Sequence, residues 1–194
     1  MIIIRHRINT IDELKNIQSD HGVEIDLRSS GQELILEHEP FKNGVKLSKW
    51  LRSYNHKYLI VNLKEDGLET KAIEILNDYG IQSFFFLDQS FPSLYKLSRI
   101  APEFCCARVS DFEPISSAMS LKSGWIWFDS HSGDWDYLRK AWVSLDVKNI
   151  QTCLVSPELQ RLDSNIELTR LKNIIEEMSI EFDAVCTKLP HIWQ

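Results

Sequence analysis

Apolar residues along the chain come in short, dense runs separated by longer stretches of mixed polarity. Residues 2–4 are three isoleucines in succession, a β-branched run that predicts a strand through Arg5. Similar runs at 22–28, 58–64, 83–87, 104–109, 124–128, 150–155 and 182–186 predict seven more strands. They are apolar on both faces, as strands buried in a parallel sheet are. A smaller run at 33–37 predicts an extra strand after the second. Helical patterns fill most of the gaps. Thr10 caps a predicted helix over 11–19, with Asp12 and Glu13 in its first turn. Shorter helical stretches are predicted at 47–54, from Pro92, at 114–121 and at 136–145. Leu68, Ala72, Ile75, Leu76 and Tyr79 form a helical stripe that Gly80 stops. Ile166, Leu168, Leu171, Ile174 and Ile175 mark the longest predicted helix, over 165–178.

Eight strands alternating with mostly helical connections belong to the α/β class and predict a compact single-domain (β/α)₈ TIM barrel over 1–194, with a small extra strand after strand two. A doubly wound open sheet is the alternative. No G-x-G-x-x-G follows any strand, which weakens its nucleotide-binding form.

Composition narrows the classes. Hydrophobic residues make up 43% of the 194, enough for a core. The 28 acidic against 22 basic residues leave a formal charge of −6, which argues against a nucleic-acid surface. No apolar run reaches the roughly 18 residues of a membrane span, so no stable membrane insertion is expected. The N-terminal apolar run is too short for a signal peptide, and a cytoplasmic location is expected. Cys105, Cys106, Cys153 and Cys186 all fall in predicted strands without C-x-x-C spacing, so buried reduced thiols are expected. The oligomeric state is not legible.

The candidate chemistry centres on 22–28. Side chains alternate along a strand, so Glu24 and Asp26 share a face. Paired carboxylates suit a hard divalent cation such as Mg²⁺ or Ca²⁺; an edge strand with a solvated acidic face is the plainer reading. His6-Arg7 ends the strand before this one, and His38-Glu39 ends the apolar run after it. In a barrel, polar residues at strand carboxyl ends converge on one site. Here these are His6, Arg7, Glu24, Asp26, Arg28, Asn62, Lys64, Asp88, Arg108, Asp129, Glu158 and Lys188. The five cations among them would suit an anionic substrate such as a phosphate ester. His21, His56, His131 and His191 read as structural or solvent-facing.

The order H-R, E-x-D, H after a small extra strand and x-L-K resembles the glycerophosphodiester phosphodiesterases, within the phosphatidylinositol-specific phospholipase C-like barrel superfamily. Asn9-Thr10-Ile11 is similar to the N-T-L that starts that family's first helix, and Thr187-Lys188-Leu189-Pro190 to its T-D-x-P loop. Where the family has E-x-K, this chain has Asn62-Leu63-Lys64. Glu39 stands in place of an aspartate, Ile8 in place of a glycine, and Val155-Ser156-Pro157-Glu158 in place of W-T-V-N. The resemblance implies a metal-dependent hydrolase acting on a small glycerol- or sugar-linked phosphodiester. Glu24, Asp26 and Asn62 would hold one divalent cation, Mg²⁺ or Ca²⁺. His6 and His38 would act as acid and base, with Arg7 and Lys64 beside them on the reacting phosphate. Arg28, Arg108, Lys188 and Trp127 would contact the substrate. The other reading is a catalytically degenerate barrel that binds a phosphorylated ligand without turnover, and Asn62 is its main support.

Overall fold

A computed structural model describes residues 1–145, 150–160 and 164–194. The chain divides into two compact units, Ile4–Lys96 and a second made of Met1–Ile3 with Leu97–Gln194.

The first unit holds strands β1 (Ile2–Arg5, from Ile4 onward), β2 (Gly22–Ser30), β3 (Glu33–Leu36), β4 (Val45–Lys46), β5 (Leu59–Leu63) and β6 (Phe84–Leu87). Its helices are α1 (Ile11–Lys15), α2 (Leu47–Leu51), α3 (Glu69–Asp78) and most of α4 (Phe91–Leu97). β2 is the organising strand. It pairs in parallel with β1 on one side and with β5 on the other, and β5 pairs in parallel with β6. Beyond Asp26, β2 continues as an antiparallel partner of β3, and β4 adds two further residues to β3. Ile25, Leu27, Leu59, Ile60 and Phe84 through Phe86 are buried, and Leu14, Trp50, Ala72 and Leu76 cover them from the helices. Gly22 is required by packing, because a Cβ there would clash with the Ile4 side chain and lie 2.9 Å from Tyr58 O.

The second unit repeats the parallel pattern. Its strands are β7 (Cys106–Val109), β8 (Trp125–Phe128), β9 (Gln151–Val155) and β10 (Ala184–Thr187). β8 pairs in parallel with β7 and β9, and β9 pairs with β10. Its helices are α5 (Ile115–Met119), α6 (Tyr137–Ser144) and α7 (Ser164–Glu177). Phe128, Trp142 and Phe182 meet edge-on or tilted, with centroids 5.2–6.0 Å apart. The four cysteines are buried thiols.

All eight predicted parallel strands and the extra strand are present. Differences lie at the ends. α1 stops at Lys15 rather than near 19, because Asn16 Nδ2 donates to Asp12 O (2.9 Å) and closes the helix. β2 runs past the predicted 22–28 as far as Ser30. The reversal falls at Gly31, whose φ of 61° the hairpin needs. β4 is too short to leave a pattern. In α7, Leu171 and Ile174 are buried as expected, whereas Ile166 is 65% exposed: the stripe begins one turn before the helix meets its neighbours.

Candidate active site

The site occupies the carboxyl ends of β1, β2 and β5 in the first unit. Strand alternation sends Glu24 and Asp26 to one face, and the parallel register sets Asp26 level with Asn62. Both carboxylates are buried, at 1% and 0% exposure. Buried carboxylates need partners, and the loop after β1 supplies several of them. Arg7 has a left-handed φ of 55°, and its backbone N–H donates to Glu24 Oε2 at 2.6 Å. Ile8 N–H donates to Glu24 O at 2.7 Å. His6 Nε2 lies 3.9 Å from Glu24 Oε2. On the other side, Asn62 Nδ2 donates to Glu24 Oε1 at 3.0 Å.

Asp26 is held more tightly. Asn9 Nδ2 donates to its Oδ2 at 2.7 Å, and Asn9 Oδ1 accepts from the Asp26 backbone N–H at 2.8 Å. Arg7 Nε lies 3.3 Å from Oδ2, and Lys64 Nζ lies 3.0 Å from Oδ1. Burial and the neighbouring Asp26 push the Glu24 carboxyl from 4.5 up to about 7, against the pull of the Arg7 amide, Lys64 and Asn62.

His38 follows β3. Its Nδ1 lies 2.8 Å from Glu39 Oε1, and the pairing holds the Glu39 carboxyl below its usual value. Arg28 does not reach outward. Its Nε and Nη2 donate to His38 O at 3.1 and 2.9 Å, and Nη1 to Lys64 O at 3.5 Å. A pocket of about 430 Å³ borders Arg7, Asn9, Thr10, His38, Glu39 and Asn43.

His6, Arg7, Glu24, Asp26, Asn62 and Lys64 are therefore gathered, and Arg28 ties the His38 loop to the same strand ends. Arg108, Trp127 and Lys188 belong to the second unit. There Arg108 is ion-paired with Asp129 at 2.8 Å and Glu113 at 3.9 Å; Trp127 is buried and Lys188 exposed. Asn9 was legible only as the residue before a helix cap. Its position two residues beyond His6-Arg7 was the one signal that it would face the carboxylates.

Among the described residues, no group of three or more His, Cys, Asp and Glu side chains is placed to hold a metal ion. The candidate donors are two carboxylates and an amide instead. Asn62 Oδ1 is buried with no hydrogen-bond partner. An orphaned acceptor beside two buried carboxylates fits a hard, oxygen-preferring cation. No helix among the described residues is long and apolar enough to cross a membrane.

At the level of sequence no family model matches the chain, and no curated protein does. Solved structures do. Parallel strands and helices in alternation, with polar side chains at the strand carboxyl ends, define a (β/α)₈ barrel carrying its antiparallel β3–β4 ribbon after the second strand. The particular version is that of the glycerophosphodiester phosphodiesterases, whose fold this chain has. It is similar to the enzyme of that name from Thermotoga maritima, at 15% identity and TM-score 0.68, over 100% of this chain and 98% of that one. The one from Parabacteroides distasonis has 14% identity and TM-score 0.67, over 98% and 94%. A glycerophosphodiester phosphodiesterase from Agrobacterium tumefaciens has 13% identity and TM-score 0.64, over 97% and 96%.

Proposed function

We propose that this protein is a phosphodiesterase acting on a glycerol- or sugar-linked phosphodiester. The observation that carries this reading is the strand-end cluster, in which two buried carboxylates on one face of β2 are flanked by the Arg7 guanidinium and the Lys64 ammonium. A phosphodiester is a stable anion, so its cleavage requires neutralised charge and placed protons. Arg7 and Lys64 supply positive charge where the phosphoryl oxygens would lie. Glu24 and Asp26, with the free oxygen of Asn62, would hold a divalent cation, Mg²⁺ or Ca²⁺. Such a cation supplies charge neutralisation on the phosphate when bound.

His6 and His38 are the proton carriers. With Nδ1 engaged by Glu39, His38 keeps Nε2 for proton transfer. One imidazole takes a proton from the attacking hydroxyl, and the other gives one to the leaving alkoxide. Arg28 holds the His38 carbonyl, which makes it a positioning residue rather than a substrate contact. The pocket beside Arg7 and His38 has room for the alcohol part of the substrate.

Asn62 favours a second reading, a site that binds a phosphorylated ligand without turnover. Its amide already donates to Glu24, so one negative donor is missing. Hydrolysis of bis(p-nitrophenyl) phosphate and of a panel of glycerophosphodiesters, with Mg²⁺, Ca²⁺ or EDTA, separates the two. Turnover by wild type that is lost in His6→Ala and in Glu24→Ala supports the enzyme. Phosphate binding without turnover supports the second reading.

A further inference from the structure

Lys64 has a second carboxylate near it. Its Nζ lies 3.0 Å from Asp26 Oδ1 and 3.9 Å from Asp88 Oδ2, and the Lys64 side chain is only 15% exposed. Asp88 is the first residue after β6, the parallel neighbour of β5, and the register sets Asn62 level with Leu87. The two residues therefore emerge side by side from adjacent strand ends. We propose that Asp88 is a positioning residue for Lys64, holding the ammonium between two carboxylates at the strand ends, where it meets a phosphoryl oxygen. The inference rests on the phosphodiesterase reading and adds a residue to it.

Three observations carry it. A lysine is a point charge on a flexible four-carbon stem, so one carboxylate alone does not fix its direction. Asp26 has partners besides Lys64, since Asn9 and Arg7 engage its other oxygen, Oδ2. The segment that bears Asp88 is anchored to the loop that bears Lys64. Gln89 Nε2 donates to Glu69 Oε1 at 3.1 Å, and Ser90 N–H to Asp66 Oδ1 at 3.2 Å. Three successive residues thus reach the β5–α3 connection and the first residue of α3, and Asp88 is the one that reaches Lys64. Asp88 also has a left-handed φ of 62°, which aspartate and asparagine tolerate better than most residues. Asp88→Asn therefore removes the charge while preserving the shape and the backbone.

The test is steady-state kinetics on bis(p-nitrophenyl) phosphate for wild type, Asp88→Asn, Asp88→Glu, Lys64→Ala and the Lys64→Ala/Asp88→Asn double variant. Asp88→Asn should lower kcat about tenfold, the size expected of a misplaced charge, with KM changed less than about twofold. Asp88→Glu should recover most of that loss. The double variant should be no slower than Lys64→Ala alone, because the two act as one unit. Wild-type kinetics in Asp88→Asn, or losses that multiply in the double variant, would overturn the proposal. If wild type hydrolyses nothing, the phosphodiesterase reading fails by itself, and calorimetry with inorganic phosphate decides about Asp88. Weaker phosphate binding in Asp88→Asn, with no further weakening when Lys64→Ala is added, supports it. Equal affinity, or no phosphate binding by wild type, overturns it.

Discussion

Asn62 gives its amide nitrogen to Glu24 Oε1 at 3.0 Å and keeps its buried Oδ1 free of any hydrogen bond. One end of a single side chain thus donates to a carboxylate while the other waits for a donor or a cation. Asn62→Asp should tighten Mg²⁺ or Ca²⁺ by about tenfold, or roughly 1.4 kcal/mol, because it adds an anionic ligand. In EDTA the same variant should unfold at lower temperature than wild type, since a third carboxylate then joins two buried ones. Calorimetric titration and thermal melting with and without metal read the two effects separately.

Glu24 makes cation-free stability pH-dependent. Its carboxyl is raised from 4.5 to about 7 in the folded chain. Between those values the folded state binds more protons than the unfolded state, so stability falls as pH rises through this window. The contribution is on the order of a few kcal/mol across the window. Urea unfolding in EDTA from pH 4.5 to 7.5 should show the decline, and Glu24→Gln should flatten it.

Asn9→Ala removes both hydrogen bonds that clamp Asp26, one to its carboxylate and one from its backbone N–H. It leaves a fully buried charged group short of a donor and should destabilise the fold by about 2 kcal/mol. Turnover should fall with it, since Arg7 and Lys64 then take up the slack on Asp26. Asn9→Asp should do worse than alanine, because it sets two carboxylates against each other.

Gly44 is required by close approach. A Cβ there would run into Leu36 O, with Glu37 Cβ 3.1 Å away. Gly44→Ala should displace the 38–44 loop and cost about 1–3 kcal/mol. His38 sits at the start of that loop and should lose its alignment, so kcat should fall further than stability alone explains. Comparing melting temperature with kcat checks this.

Much of this protein could be read from its residues. Runs of apolar β-branched and aromatic residues located every parallel strand, because a strand buried on both faces has no polar side to hide the pattern. The same local rule put Glu24 and Asp26 on one face, and Thr10 with Glu13 forms the capping box that opens α1. Contacts set by packing were harder to read. Arg28 was expected to face the substrate, but a guanidinium with five donors settled on the carbonyls of His38 and Lys64. Arg108 was expected to contact the substrate, and its guanidinium is paired with Asp129 and Glu113. Neither partner lies within a helical turn or a strand step of its arginine, so no local periodicity could reveal it.

The sequence by itself determined the alternation of strands and helices, the shared face of the two carboxylates and the presence of a histidine at the end of β1 and after β3. These follow from side-chain period and turn chemistry, which act over a few residues. Only the tertiary structure decided that Asn9 clamps Asp26, that Asn62 leans on Glu24, and that Lys64 sits between Asp26 and Asp88. Each of those pairings joins residues 17 to 38 positions apart. Burial made them necessary, because a carboxylate taken out of water must find its donors wherever the fold brings them.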